Sequence, residues 1–411
     1  MSADGGRRRL LIRDIVQLVT PSGTSAPLRG RNLGHVEVLE DAYVLCEDGT
    51  IAAVGRMRDL EHVDGDVDEL DARGRCAVPG LVDCHTHACF SGDRVDEFAL
   101  RAGGATYEQL HGAGGGILST VRGTRAASED ELRVALERHR SWMLGSGTTT
   151  FESKSGYGLD RDTELASLRV IRAAGGVPTW LGAHAVPREF DDADAYLEFA
   201  LDEVLPEAAA IAEAADVFLE RGAFDAPQAR RYLTACKSAG LALRLHADQF
   251  TELGGIELAI ELAARSVDHL EATGSDGVKA LGASDVTAVL LPASALFLGR
   301  PMPPARALVE AGAAVTLATD FNPGSAFCES LPLVCSLAAT QLKLTPAEAL
   351  TACTVNAAHV LGRADRVGRL APGYAADVVL LDAPDWRYLA YHLGGRVVGG
   401  VVVGGVLAEL G

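Results

Sequence analysis

Eight short strand-like runs, most of them closing on or beside a polar residue, alternate with helix-compatible stretches through the middle of the chain. The runs are Leu81–His87, Thr148–Ser153, Pro178–His184, Asp216–Glu220, Ala242–His246, Ser266–Leu270, Thr287–Pro292 and Ala314–Asp320. Asp194–Ala214, Ala226–Ala239 and Leu253–Ala264 are examples of the helical stretches between them. Such alternation predicts a parallel sheet covered by helices, and eight units predict an α/β fold of the (β/α)8 kind, a TIM-like barrel. A doubly wound sheet is the competing arrangement, but it calls for a phosphate-binding glycine turn after its first strand. Gly114-Gly115-Gly116 is the nearest candidate, and it follows a helix-like stretch.

The two ends read differently. Leu10–Val19, Val36–Cys46 and Ile51–Val54 at one end, with Asp377–Leu381 and Val397–Leu407 at the other, are strand-like and punctuated by turns. They predict a small β-sandwich domain formed by both termini, residues 1–75 and 366–411, around a barrel of residues 76–365. The net charge of −19 argues against a nucleic-acid partner, which needs a basic face. It also means that an anionic substrate would need a local arginine to hold it. No apolar run is long enough to span a bilayer, and the first residues lack the apolar stretch of a signal peptide, so the expectation is a cytoplasmic protein without a membrane partner. The eight cysteines form no C-x-x-C and read as thiols rather than a disulfide framework. A homodimer is the default expectation for assembly.

Strand side chains alternate in direction, so both imidazoles of His85-Thr86-His87 can reach one ion. Alone, such a pair fits a structural or surface role equally well. His246 closes the fifth run and Asp320 the eighth, and titratable groups closing apolar strands are costly to bury unless paired or metal-bound. Three imidazoles and a carboxylate suit one divalent transition ion, zinc or iron. His184 and His269 close two further runs on the same rim. Each alone would read as a satisfied core histidine; beside a metal site each is a candidate for substrate or transition-state contact.

The string Pro79-Gly80-Leu81-Val82-Asp83-Cys84-His85-Thr86-His87 resembles the entry motif of the amidohydrolase superfamily. Further strings are similar to the imidazolonepropionase family within it. They include Gly104-Ala105-Thr106-Tyr107-Glu108, Gly114-Gly115-Gly116-Ile117-Leu118-Ser119-Thr120-Val121-Arg122 and Lys154-Ser155-Gly156-Tyr157-Gly158-Leu159. Others are His246-Ala247-Asp248-Gln249-Phe250, Asp268-His269-Leu270-Glu271 and Ala318-Thr319-Asp320-Phe321-Asn322-Pro323-Gly324-Ser325. The resemblance implies that His85, His87, His246 and Asp320 hold one zinc or iron ion. It implies contacts from Arg94, Tyr157, His184, Gln249, Asn322, Gly324 and Ser325 to a small anionic imidazolone, with Tyr107 and His269 nearby. The implied reaction is metal-dependent hydrolysis of the cyclic amide of 4-imidazolone-5-propanoate to N-formimidoyl-L-glutamate, in histidine degradation.

On that reading a metal-activated water attacks the ring carbonyl, Asp320 shuttles the proton, and His269 or His184 stabilises the oxyanion. Arg94, on the loop after the first run, suits a carboxylate clamp, with Arg122 a second candidate and a loop ion pair the plain alternative for Arg94. Position 249 is Gln where some members carry Glu, and a Gln cannot act as a base. Lys154 closes the second run and could be carboxylated to bridge two metals, as in hydantoinase-like relatives. Other amidohydrolase chemistry, a hydantoinase- or dihydroorotase-like ring opening or a deamination, is the rival activity. A barrel retained only for binding is the rival class.

Overall fold

The computed structural model describes residues 8–63, 65–104 and 115–409. Residues 1–83, 141–150 and 330–411 cluster as one compact unit and residues 84–140 and 151–329 as a second.

The first unit carries a sheet drawn from both ends of the chain. Its strands are β1 (Arg9–Pro21), β2 (Val36–Glu47), β3 (Thr50–Arg56), β4 (Asp68–Asp71), β5 (Cys76–Pro79), β14 (Val378–Leu381), β15 (Val398–Val403) and β16 (Val406–Leu407). They hydrogen-bond in the order β16-β15-β14-β5-β1-β2-β3, with β4 also on β1. Most neighbours are antiparallel, while β1 runs parallel to β4 and β5. Alternate residues of these strands (Leu10, Ile12, Val44, Val378, Leu380 and Val402 among them) form one apolar core. The pattern of the ends therefore does predict a shared β unit. Its edge differs in one respect: Cys76–Pro79, read from the sequence as the opening of the barrel, pairs with β1 and β14. Gly80 ends that strand, donating its N–H to Asp377 O at 2.9 Å. A Cβ there would lie 2.2 Å from Thr149 Oγ1, so only glycine lets the chain pass.

The eight central strands form a parallel sheet in sequence order: β6 (Leu81–Asp83), β7 (Thr148–Lys154), β8 (Val177–Ala183), β9 (Ala214–Leu219), β10 (Ala242–Ala247), β11 (Ser266–His269), β12 (Thr287–Leu290) and β13 (Ala314–Leu317). β8, β11, β12 and β13 are buried along their whole length, as parallel strands covered on both faces must be. The first and last strands approach beyond their ends. Asp320 N–H donates to His85 O at 3.0 Å and His87 N–H to Phe321 O at 2.9 Å, which brings the sheet close to a closed barrel. Helices between strands begin at side-chain caps: Asp160 accepts from Thr163 N–H, and Asp225 with Gln228 forms a capping box. The run Asp194–Ala214, expected as one helix, is broken into Ala193–Phe199, a π-helical turn at Ala200–Val204 and Leu205–Ala208. Pro206 has no N–H to continue the ladder, so the register slips there. The chemistry-bearing side chains sit at the C-terminal ends of these strands, where a barrel presents its loops.

Candidate metal centre and cavity

Four ligand atoms converge. His87 Nε2 lies 3.3 Å from His246 Nε2 and 3.4 Å from Asp320 Oδ1, and His85 Nε2 lies 3.5 Å from the same Oδ1. These three distances are close to the edge of a tetrahedron with corners about 2.1 Å from its centre, the zinc–nitrogen distance; ligand atoms of His85, His87 and His246 lie within 4.8 Å of one another, as do those of His85, His269 and Asp320. Burial lowers the pKa of His85, with Lys154 and the other histidines adding to it, and lowers that of His87 likewise. His246 is pushed down to about 4 by burial, against the pull of Asp216. Neutral imidazole is the form that binds a metal, so the set fits the ion the sequence implies. Asp320 adopts φ 56° and His269 φ 85°, left-handed conformations that only the surrounding structure can hold.

Behind the ligands stands a buried charge network. His85 Nδ1 lies 2.5 Å from Asp268 Oδ2 and His246 Nδ1 3.0 Å from Asp216 Oδ1. Each carboxylate fixes its imidazole as the Nδ1–H tautomer and turns Nε2 to the centre. Lys154 Nζ pairs with Asp216 Oδ2 at 2.9 Å and Glu152 Oε1 at 2.8 Å, and Arg244 reaches the same Glu152 oxygen at 3.0 Å. Burial works against the Lys154 ammonium, yet Asp216 and Glu152 raise its pKa above the usual lysine value.

A cavity of about 350 Å³ opens beside the ligands. His184, His269, Arg94, Tyr157, Gln249, Asn322, Gly324 and Ser325 all line it, so the structure brings the expected substrate contacts together. Each is set by a recognisable device. Glu164, buried, accepts from the N–H groups of Gly156, Gly158 and Leu159 and so holds the Tyr157 loop. Glu220 accepts from Phe250 and Thr251 N–H at 2.9 and 3.1 Å and holds the Gln249 loop. Asn322 uses both amide N–H groups on Asp320 O and Ser325 Oγ and its oxygen on Gly324 and Ser325 N–H, so its side chain builds the turn. Arg94 is paired with Glu97 through two N–H groups. His184 Nδ1 lies 2.9 Å from Gly156 O, and burial pushes its pKa down to about 4. Burial also acts against His269, but Glu271, 3.4 Å from its Nδ1, raises its pKa. Tyr107 lies outside the described residues, and Arg122 is exposed and off the cavity wall.

Several members of the site were not assigned from sequence. Asp216, Asp268 and Glu152 sit inside or at the end of apolar strands, and a charge so placed signals a buried partner even when the partner is unknown. Glu220, which closes the fourth run, carries the same signal, whereas Glu164, within a helix, carries none. Arg101 and Arg300, two further cations on the cavity wall, follow no strand and were equally silent.

Comparison with known proteins agrees with this architecture. The profile of the amidohydrolase family matches residues 76–408. An imidazolonepropionase of Rubrobacter xylanophilus is 62% identical over 98% of this chain and 99% of its own, and one of Chloroflexus aggregans is 48% identical over 96% and 97%. Among solved structures, E. coli guanine deaminase superposes with a TM-score of 0.72 at 15% identity, covering 99% of both chains. A zinc-bound adenosine deaminase from Xanthomonas campestris gives 0.70 at 19%, covering 97% of this chain and 92% of its own. At those identities the two deaminases speak for the fold alone. The chain belongs to the amidohydrolase family, among its imidazolonepropionases.

Proposed function

We propose that this site opens the ring of 4-imidazolone-5-propanoate by hydrolysis of its cyclic amide, giving N-formimidoyl-L-glutamate. One observation carries the reading: a neutral three-histidine set and Asp320 border a small cavity that guanidinium groups also line. One zinc or iron ion, held by His85, His87, His246 and Asp320, would supply an activated water and Lewis acidity. A single ion suits the chain better than two. Carboxylation needs a neutral amine, and Lys154 is kept cationic between Glu152 and Asp216.

The residues divide the remaining work. Asp320 lines the cavity, where it would take a proton from the attacking water and return it to the leaving ring nitrogen; without an ion, burial pushes its carboxyl up to about 6. Gln249 cannot take that role. Glu271 favours the protonated form of His269, the form that can donate to the developing oxyanion, whereas neutral His184 offers a ring nitrogen lone pair to a substrate N–H. Arg94 and Tyr157 sit on the wall that would take the propionate arm. The test is an absorbance assay with imidazolone-propionate beside metal analysis of the same sample. Ring opening with about one ion per chain is the expected result; a fully loaded protein that leaves the ring intact refutes the substrate assignment.

A further inference from the structure

β6 ends at Asp83, yet the backbone beyond it keeps strand-like partners on both sides. His85 and His87 bond to Asp320 and Phe321, while Thr86 turns the other way, its carbonyl accepting from Lys154 N–H at 2.9 Å. Regular parallel pairing would also send the Thr86 N–H to the backbone carbonyl of Glu152. Here that N–H donates to the Glu152 side chain, with Oε2 at 3.1 Å, and the Thr86 hydroxyl takes the Glu152 carbonyl at 2.6 Å. A carboxylate has replaced a carbonyl in the ladder, at the residue that stands between two ligand histidines.

Glu152 is fully buried, and its second oxygen is equally committed. Oε1 accepts from Lys154 Nζ at 2.8 Å and from Arg244 Nη1 at 3.0 Å, and the same Arg244 nitrogen donates to Cys84 O at 3.1 Å. One carboxylate thus ties two cations to the Thr86 N–H, and one of those cations ties it to the peptide that precedes His85. A glutamine cannot copy this. With its oxygen toward the cations, its NH2 meets the Thr86 N–H; with its oxygen toward Thr86, its NH2 meets the cations. The fastening continues along β7. Thr86 Oγ1 accepts from Ala88 N–H, and Ser153 Oγ accepts from Cys89 N–H, each at 3.3 Å.

We propose that Glu152 is a positioning residue for the metal centre: its carboxylate sets the backbone at Thr86 and so fixes the directions in which His85 and His87 present their imidazoles. This rests on the metal-dependent hydrolase reading above. Glu152 itself lies off the cavity wall. A residue that only stabilised the fold would lower stability and leave metal affinity alone, whereas a positioning residue changes affinity within an intact fold.

The test measures zinc affinity by competition with a chelator, and the visible spectrum of the cobalt-substituted protein. It compares folded wild type, Glu152→Gln, Glu152→Asp and Glu164→Gln. Glu152→Gln should lose zinc affinity about tenfold or more and shift the cobalt bands. Glu152→Asp keeps the charge beside Lys154 and Arg244 but draws back from Thr86, so it should lose affinity too, by less. Glu164→Gln removes a buried carboxyl that holds the Tyr157 loop, and should cost stability with zinc affinity and cobalt spectrum as in wild type. Wild-type affinity in both Glu152 variants, or an equal loss in Glu164→Gln, overturns the proposal. If Glu152→Gln does not fold, Glu152→Asp against Glu164→Gln carries the comparison. Failure of the hydrolase reading shows separately, as wild type that binds zinc and leaves the ring intact. If wild type takes no metal, amide exchange at residues 84–89 decides. Faster exchange in Glu152→Asp than in wild type and Glu164→Gln is expected, and equal rates refute the positioning role.

Discussion

Asp216 does not itself line the cavity, yet it holds His246 in the tautomer a metal needs and is itself held by Lys154. Burial acts against its charge, and His246 with Lys154 outweighs it, so the carboxylate stays ionised well below the usual range. Asp216→Asn keeps the shape and removes the charge. Metal affinity should fall about 10- to 100-fold, read by competition with a chelator, with the fold intact. Unaltered affinity would mean that the pair is only packing. Gly324 makes a second residue-scale prediction. A methyl at this position collides with the tip of the flexible Arg94 side chain rather than with backbone, so the chain can yield. Gly324→Ala should fold normally, displace Arg94 and raise KM several-fold with kcat little changed, the pattern of lost ground-state binding. A fall in kcat at constant KM would instead place the glycine at the reacting centre.

At the scale of elements, the helix Glu129–Gly145 lays His139 against the loop that follows β6. His139 Nδ1 donates to Ala88 O at 2.8 Å, its ring stacks on Phe90 at 4.5 Å and meets Phe321 edge-on at 5.3 Å. Burial lowers its pKa, Arg138 lowers it further, and the Ala88 bond only partly offsets them. The folded chain therefore refuses a proton that the unfolded chain accepts below about pH 6.5. Stability from this docking is present above that pH and is lost as pH falls through it, by at most about 1.4 kcal/mol per pH unit. The buried ligand histidines share this sign, so the measurement is a difference of slopes with metal held saturating. His139→Gln keeps a donor for Ala88 O and cannot titrate. Its urea-unfolding stability should fall less between pH 7 and pH 5 than that of wild type; parallel slopes would sink the idea. Elements were also the level most legible in the sequence. All eight barrel strands were readable, most of them because a strand buried on both faces is a largely apolar run against which a closing histidine or aspartate stands out; β7, with three threonines, was legible from its β-branched residues instead. What failed to show was whatever depends on register. Arg244 pairs across the sheet with Asp216 as the Cα partner in the neighbouring strand, and Lys154 meets the same acid from further off. Glu164 and Glu220 support loops through backbone N–H groups, which have no side-chain identity to read.

For the molecule as a whole, the barrel sheet is a path whose two ends are β6 and β13, joined beyond their termini by backbone bonds at His85, His87, Asp320 and Phe321. Three of those residues are proposed metal ligands. An ion bound there would cross-link the seam, with His85 and His87 on one side and Asp320 on the other. A ligand that binds only the folded state stabilises it by about 4 kcal/mol when present at a thousand times its dissociation constant. Removing it should therefore lower the melting temperature and also do so at a particular place. Chelated protein should exchange backbone amides faster at residues 85–88 and 318–322 than at the middle strands β9 and β10, and added zinc should restore protection. The two readouts separate the seam from general loosening. A melting temperature that falls with exchange raised evenly around the barrel would mean that the ion stabilises the fold without closing it. Protection at the seam that ignores the metal would mean that the backbone bonds suffice, leaving the ion to chemistry alone.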